Sequence, residues 1–145
     1  MNGNTLDILL VEDNPNDAEL ALRALKKSGV ANNIYVAIDG EQALDFLYCR
    51  NQYSNNDPNN PPKLILLDLK LPKIDGLEVL KTIKEDPNKK TIPVIILTSS
   101  ILEKDMVASY QYGVNSYIQK PVDFNQFVEA VNQIGLYWLL LNKLP

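Results

Sequence analysis

The sequence predicts an α/β fold, a doubly wound five-stranded parallel sheet with helices on both faces. Two observations predict it. The runs Leu9-Leu10-Val11, Ile65-Leu66-Leu67 and Ile95-Ile96-Leu97 are apolar without alternation, as in strands covered on both faces. Between such runs lie segments of helical periodicity, so strand and helix patterns alternate along the whole chain, the signature of right-handed β-α-β units. With 145 residues there is room for one well-buried core, and a single domain spanning residues 1–145 is expected.

Each element has a local reason. The first strand, residues 7–11, runs through Glu12-Asp13-Asn14 into Pro15, whose fixed φ suits the first turn of a helix. Leu20, Leu22 and Leu25 mark the expected buried face of that helix, and Ser28-Gly29 stops it. The second strand covers residues 34–37, and Asp39-Gly40 leads to a helix carrying Ala43, Leu44 and Leu47. Residues 50–62, rich in Asn and Pro, read as an unusually long loop. The third strand, 65–68, ends in Asp68. The turn from Leu69 to Gly76 then opens a helix with Leu77, Leu80 and Ile83 on one side, ended by Asp86-Pro87-Asn88. The fourth strand, 95–98, precedes a short helix with Met106, Val107 and Tyr110, and Gly113 is placed to cap it in a left-handed conformation. The fifth strand, 116–119, runs into Lys120-Pro121, and the last helix starts near Asp123.

In a parallel sheet the carboxyl ends of the strands share one edge, where ligands of open α/β sheets bind. Here those ends carry Glu12 and Asp13, Asp68, Thr98 and Lys120. Taken singly, each has an ordinary explanation. Glu12-Asp13 suits a helix entry favoured by the dipole, Asp68 a turn, Thr98 a strand end and Lys120 a solvated charge. Together, in this order, they predict a small acidic pocket.

The same residues, with Pro72 and Asp75-Gly76 following Asp68 and Pro121 following Lys120, resemble the receiver domain of two-component response regulators from end to end. The long loop before the third strand and the ending from Tyr137 to Pro145 are similar to stand-alone regulators of the cyanobacterial phytochrome type. The resemblance implies the flavodoxin-like strand order 2-1-3-4-5 and a phosphoryl group accepted on Asp68 from a sensor histidine kinase. It also implies Mg2+ held by Asp13, Asp68, the backbone carbonyl of Lys70 and, through water, Glu12. A cis bond before Pro121 belongs to the same pattern.

Physical chemistry supports those roles. Two carboxylates 4 Å apart at an effective dielectric of 20 repel by about 4 kcal/mol, and a hard divalent cation such as Mg2+, which keeps waters and takes few carboxylates, removes that cost. Lys120 would set an ammonium and Thr98 a hydroxyl on the phosphoryl oxygens. Two hydrogen bonds to a charged group supply about 3 to 6 kcal/mol, against about 5.5 needed to reverse a 1:99 equilibrium. Some switching without phosphate is therefore expected. By family analogy Tyr117 is the switch partner of Thr98, turning inward and altering the face of the fourth helix, fifth strand and fifth helix. The alternative for Tyr117 is a half-buried strand tyrosine with its hydroxyl in water. Lys70 is a bulky cation two residues after Asp68, and its ammonium is expected to shield the acyl phosphate from water. Ser99 and Ser100 are small and leave access open.

Composition limits partners. A net charge of -4 argues against a nucleic-acid surface. The sequence contains no histidine, so the phosphoryl donor must be another protein or a small acyl phosphate. Cys49 is the only cysteine, no signal-peptide pattern opens the chain, and the apolar tract 136–141 is too short to span a membrane, so a cytoplasmic protein is expected. No output domain is expected, and output through protein contact is expected in its place. Phe124, Phe127, Val128, Val131, Ile134 and residues 136–141 offer more apolar surface than one sheet face absorbs. A homodimer through this helix and the neighbouring strand is expected, the alternative being an end folded back on its own domain. No enzymatic turnover is expected beyond self-directed phosphotransfer and autodephosphorylation. A haloacid-dehalogenase-type phosphatase needs a second Asp where Lys70 stands, and a flavodoxin needs a hydroxyl-rich loop where Glu12-Asp13 stands. An unphosphorylated scaffold is the remaining alternative.

Overall fold

The computed structural model describes residues 6–29, 31–109, 112–114 and 116–133. In chain order it contains β1 (Leu6–Val11), α1 (Pro15–Ser28), β2 (Ala31–Ala37), α2 (Gly40–Leu47), a single 3-10 turn (Asn51–Tyr53), β3 (Leu64–Asp68), α3 (Gly76–Glu85), β4 (Val94–Thr98), α4 (Ile101–Ser109), β5 (Tyr117–Gln119) and α5 (Phe124–Gln133). The five strands form one sheet in the order β2-β1-β3-β4-β5, with every neighbouring pair parallel. This is the expected doubly wound architecture.

Strand periodicity divides the core between the two faces of the sheet. Ile8, Leu10, Leu64, Leu66, Ile95, Leu97 and Ile118 pack with residues of α1 and α5. Leu9, Val11, Ile65, Leu67, Val94 and Ile96 pack with α2 and α3. All five residues of β3 and of β4 are buried, which explains why their sequences show no alternation. Each such aliphatic side chain contributes about 1.5 to 3 kcal/mol of burial free energy.

Helix α1 corrects one expectation. Its buried face is Ala18, Ala21, Ala24, Leu25 and Ser28, whereas Leu20 is 39% exposed. At 100° per residue, positions 18, 21, 24, 25 and 28 fall within an arc of about 120°, and position 20 lies just outside its edge, beside Ala24. Asn14 caps the helix by accepting from the N–H groups of Asn16 and Asp17, Pro15 occupies the first turn, and Gly29 closes the other end with φ 71°. Strand β2 begins at Ala31 rather than residue 34, because an edge strand tolerates polar residues; the Asn33 amide donates to Asp7 Oδ1 at 3.3 Å. Strand β5 starts at Tyr117, one residue later than expected, while the buried Ser116 hydroxyl donates to the Ala130 carbonyl at 3.3 Å. The long loop is pinned where the Tyr53 ring meets Phe46 at 5.1 Å, and Phe46 meets Tyr35 at 4.9 Å.

Two glycines set how closely the loops at the carboxyl edge approach. A Cβ on Gly40 would lie 1.8 Å from the Ile74 carbonyl oxygen, and one on Gly76 would lie 2.2 Å from the carbonyl oxygen of Asp68. The Asp75-Gly76 pattern therefore lets α3 start directly against the end of β3. Gly113 has the left-handed φ expected of it, 76°. Tyr110 and residues 134–145, which include Ile134 and the tract 136–141 of the homodimer expectation, lie outside the described residues. Among the described residues no helix is long and apolar enough to cross a membrane.

Candidate functional site

The carboxyl edge of the sheet brings Glu12, Asp13 and Asp68 together, each offering a carboxylate oxygen within 4.8 Å of the others. Glu12 and Asp13 follow β1 directly and Asp68 ends the adjacent β3, so strand pairing alone makes them neighbours. Glu12 and Asp68 are only 1% and 2% exposed, while Asp13 is open to solvent. Local backbone fixes both buried carboxylates. The Asn14 N–H donates to Glu12 Oε2 at 3.1 Å, and the Lys70 N–H donates to Asp68 Oδ1 at 3.2 Å.

Lys120 reaches the cluster from the far end of β5. Its Nζ lies 3.0 Å from Asp68 Oδ2, 3.4 Å from Glu12 Oε1 and 3.6 Å from Asp17 Oδ2. Its backbone N–H donates to the Thr98 carbonyl at 2.7 Å, and the bond from Lys120 to Pro121 is cis. Burial by itself would lower the Lys120 ammonium, but its hydrogen bond to Asp68 and the charges of Asp68, Glu12 and Asp17 outweigh burial and raise it. Burial, a hydrogen bond with Asp68 and the Asp68 charge push the Glu12 carboxyl up to about 7, against the lowering effects of the Asn14 N–H and Lys120. One ammonium does not neutralise this concentration of carboxylates.

Thr98 ends β4 beside Asp68 and is buried. It shares a cleft of about 180 Å3 with Ser100, Ile101, Lys104, Tyr117 and Gln119. Tyr117 is half-buried, as the alternative reading has it, but its hydroxyl donates to the Val114 carbonyl at 3.4 Å. The Lys104 ammonium stands 5.2 Å from its ring centre. Burial raises the Tyr117 hydroxyl above its ordinary value.

Two charged residues at this edge escaped the sequence reading. Asp17 lies on the first turn of α1, one helical turn past Asp13, and that spacing was the available signal. Glu103, near the start of α4, is buried; its Oε1 accepts from the Ser99 N–H at 2.9 Å and its Oε2 from the Ser99 hydroxyl at 2.8 Å. The spacing Ser100-x-x-Glu103 resembles a capping box and could have flagged it. Lys70, expected to shield a phosphoryl group on Asp68, places Nζ 3.2 Å from Glu103 Oε2, with its side chain 78% exposed. Burial would raise the Glu103 carboxyl, but the Ser99 N–H, the Ser99 hydroxyl and Lys70 together hold it below the ordinary range.

The pattern of the response regulator receiver domain matches residues 8–132. The chain belongs to this family. Over 138 residues it is 42% identical to response regulator Rcp1 of Synechocystis sp., covering 95% of this chain and 92% of Rcp1; the solved Mn2+-bound form of Rcp1 superimposes with a TM-score of 0.74 over 97% of this chain and 99% of that one. The bacteriophytochrome response regulator RtBRR is 48% identical, with a TM-score of 0.88 over 97% of this chain and 84% of that chain. The phosphorylated cyanobacterial phytochrome response regulator RcpA is 42% identical, with a TM-score of 0.75 over 97% of this chain and 99% of that chain. The chain is thus a receiver domain related to response regulators of phytochromes, and phosphorylation and Mg2+ are general features of receiver domains.

Proposed function

We propose that this receiver domain accepts one phosphoryl group on Asp68 from a histidine kinase of the phytochrome type and signals by protein contact through the α4, β5 and α5 face. The observation that carries the reading is the Lys120 ammonium 3.0 Å from a buried Asp68 carboxylate inside a cluster of acids. The related structures of a Mn2+-bound Rcp1 and a phosphorylated RcpA support it.

The cluster fits Mg2+. Its donors are hard carboxylate oxygens, one of them exposed, and the two buried carboxylates, Glu12 and Asp68, share the single ammonium of Lys120. Asp13 and Asp68 would hold the ion with the Lys70 backbone carbonyl, and Glu12 would act through water. When bound, the ion neutralises charge on the transferring phosphoryl group.

The chain's own residues supply the rest. A carboxylate oxygen of Asp68 bonds to phosphorus as the phosphorus–nitrogen bond of the donor phosphohistidine breaks, its electron pair returning to the imidazole. Lys120 and the Lys70 N–H orient Asp68 for that attack. Afterwards Lys120 and the Thr98 hydroxyl donate to the phosphoryl oxygens. With about 3 to 6 kcal/mol from two such contacts, Thr98 is drawn toward the site and the cleft it shares with Tyr117 changes shape. A homodimer also remains part of the proposal. The described part of α5 buries Phe127, Ala130 and Val131 against its own sheet and leaves Phe124 and Val128 partly exposed, and the dimer would use this helix and the neighbouring β5. Sedimentation showing only monomer, with and without a phosphoryl mimic, would remove it.

The primary test is incubation with Mg2+ and acetyl phosphate, followed by intact mass, beside Asp68→Asn. The expected result is a gain of one phosphoryl group in the parent alone. Absence of a gain, repeated with a histidine-kinase donor, would favour an unphosphorylated scaffold.

A further inference from the structure

Helix α4 packs against expectation for an amphipathic helix. Glu103 and Val107 are buried, while Ile101 and Leu102 are left in solvent. The carboxylate is turned inward because it is fully used. Both oxygens accept from Ser99, directly after Thr98, and Oε2 also pairs with Lys70, two residues after Asp68. Glu103 therefore ties the loop after β3 to the loop after β4.

The two members of the ion pair are not equally held. Glu103 is buried with two hydrogen bonds from Ser99 besides the pair. The Lys70 side chain is exposed, and its ammonium sits on a flexible four-carbon stem. Its backbone N–H is already bonded to Asp68 Oδ1, so the stem is rooted beside the reacting carboxylate. A phosphoryl group on Asp68 brings about -1.5 to -2 charges, more than the single charge of Glu103. Lys70 thus has two anions to choose between, and only one of them is permanent.

Resting on the phosphoacceptor reading of Asp68, we propose that Glu103 is a positioning residue that sets the lifetime of the acyl phosphate by competing with it for the Lys70 ammonium. In hydrolysis a water oxygen bonds to phosphorus and the phosphorus–Oδ bond breaks, its electron pair returning to the Asp68 carboxylate; both water hydrogens leave on dihydrogen phosphate. An ammonium over the phosphoryl oxygens hinders that approach. Glu103 draws the ammonium aside and shortens the life of the phosphorylated state.

The test is the first-order loss of the phosphoryl group by intact mass, after donor removal in constant Mg2+, for the parent, Glu103→Gln, Lys70→Met and the double variant. Glu103→Gln keeps an acceptor for Ser99 and removes the charge. It is expected to slow the loss on the order of two- to fivefold, the size set by one ion pair whose ammonium is exposed. Lys70→Met is expected to speed the loss, and adding Glu103→Gln to it is expected to change nothing further. An unchanged or faster loss in Glu103→Gln overturns the proposal, as does the same slowing in the Lys70→Met background, which would mean that Glu103 acts through the placement of α4. Lys70→Met alters only an exposed side chain, so a loss rate equal to the parent's overturns the proposal by itself. If the parent never gains a phosphoryl group, the reading of Asp68 falls and the proposal with it.

Discussion

Lys120 Nζ lies 3.0 Å from Asp68 Oδ2, and the two residues are 52 positions apart in the chain. Their meeting joins the ends of β3 and β5 across β4, with the ammonium also serving Glu12 and Asp17. Removing it would leave buried carboxylates uncompensated. Lys120→Met is expected to lower unfolding stability by about 3 to 5 kcal/mol in the absence of Mg2+. Urea denaturation with and without Mg2+ checks this, and the gap should narrow with the ion present.

Metal dependence of stability follows from the same cluster. A ligand that binds only the folded state stabilises it by about 2.7 kcal/mol at one hundred times its dissociation constant. The melting temperature of the parent is expected to rise with Mg2+ and fall back on chelation. Asp13→Asn should flatten the titration, because it removes the exposed carboxylate of the cluster without disturbing a buried group.

Away from the site, the Tyr48 hydroxyl donates to Asp86 Oδ2 at 2.6 Å, with the Lys89 ammonium 4.4 Å from the Tyr48 ring centre. The hydrogen bond from Tyr48 is the main cause holding the Asp86 carboxyl below its ordinary 3.8. That contribution is present above pH 3.8 and is lost as pH falls through the lower folded value. Burial, then the bond to Asp86, pushes the Tyr48 hydroxyl from 10.0 up to about 12. Its contribution is present below pH 10.0 and is lost as pH rises toward 12. Tyr48→Phe should therefore destabilise at neutral pH and weaken both the acid and the alkaline decline, as read by denaturation across pH.

Glycine substitutions separate crowding from backbone strain. Gly113 has open space around its missing Cβ and a φ of 76°, so Gly113→Ala is expected to cost about 1 to 2 kcal/mol from conformation alone. At Gly40 the new Cβ would fall 1.8 Å from the Ile74 carbonyl oxygen. Gly40→Ala is expected to exceed the Gly113→Ala loss, with the overpacking cost of about 1 to 3 kcal/mol as its scale. Because Ile74 follows Asp68 in the loop that also carries Lys70, Gly40→Ala should reduce phosphoryl uptake too, measured by intact mass.

Residue order by itself determined the fold class, the alternation of elements and the placing of Glu12, Asp13, Asp68, Thr98 and Lys120 on one edge of a parallel sheet. It did so because unbroken aliphatic runs read as doubly covered strands, and in parallel strands every carboxyl end faces the same way. The buried face of α1 was misjudged by hydrophobicity, since small alanines rather than Leu20 let that helix approach the sheet. Only the tertiary structure decided that Asp17 joins Lys120, that Lys70 leans to Glu103, and that Glu103 turns inward while Ile101 and Leu102 turn out. Those are choices between neighbours in space. A long ammonium can reach several carboxylates, and which one it meets depends on how α4 and the loops after β3 and β4 pack, a matter that spacing along the chain does not encode.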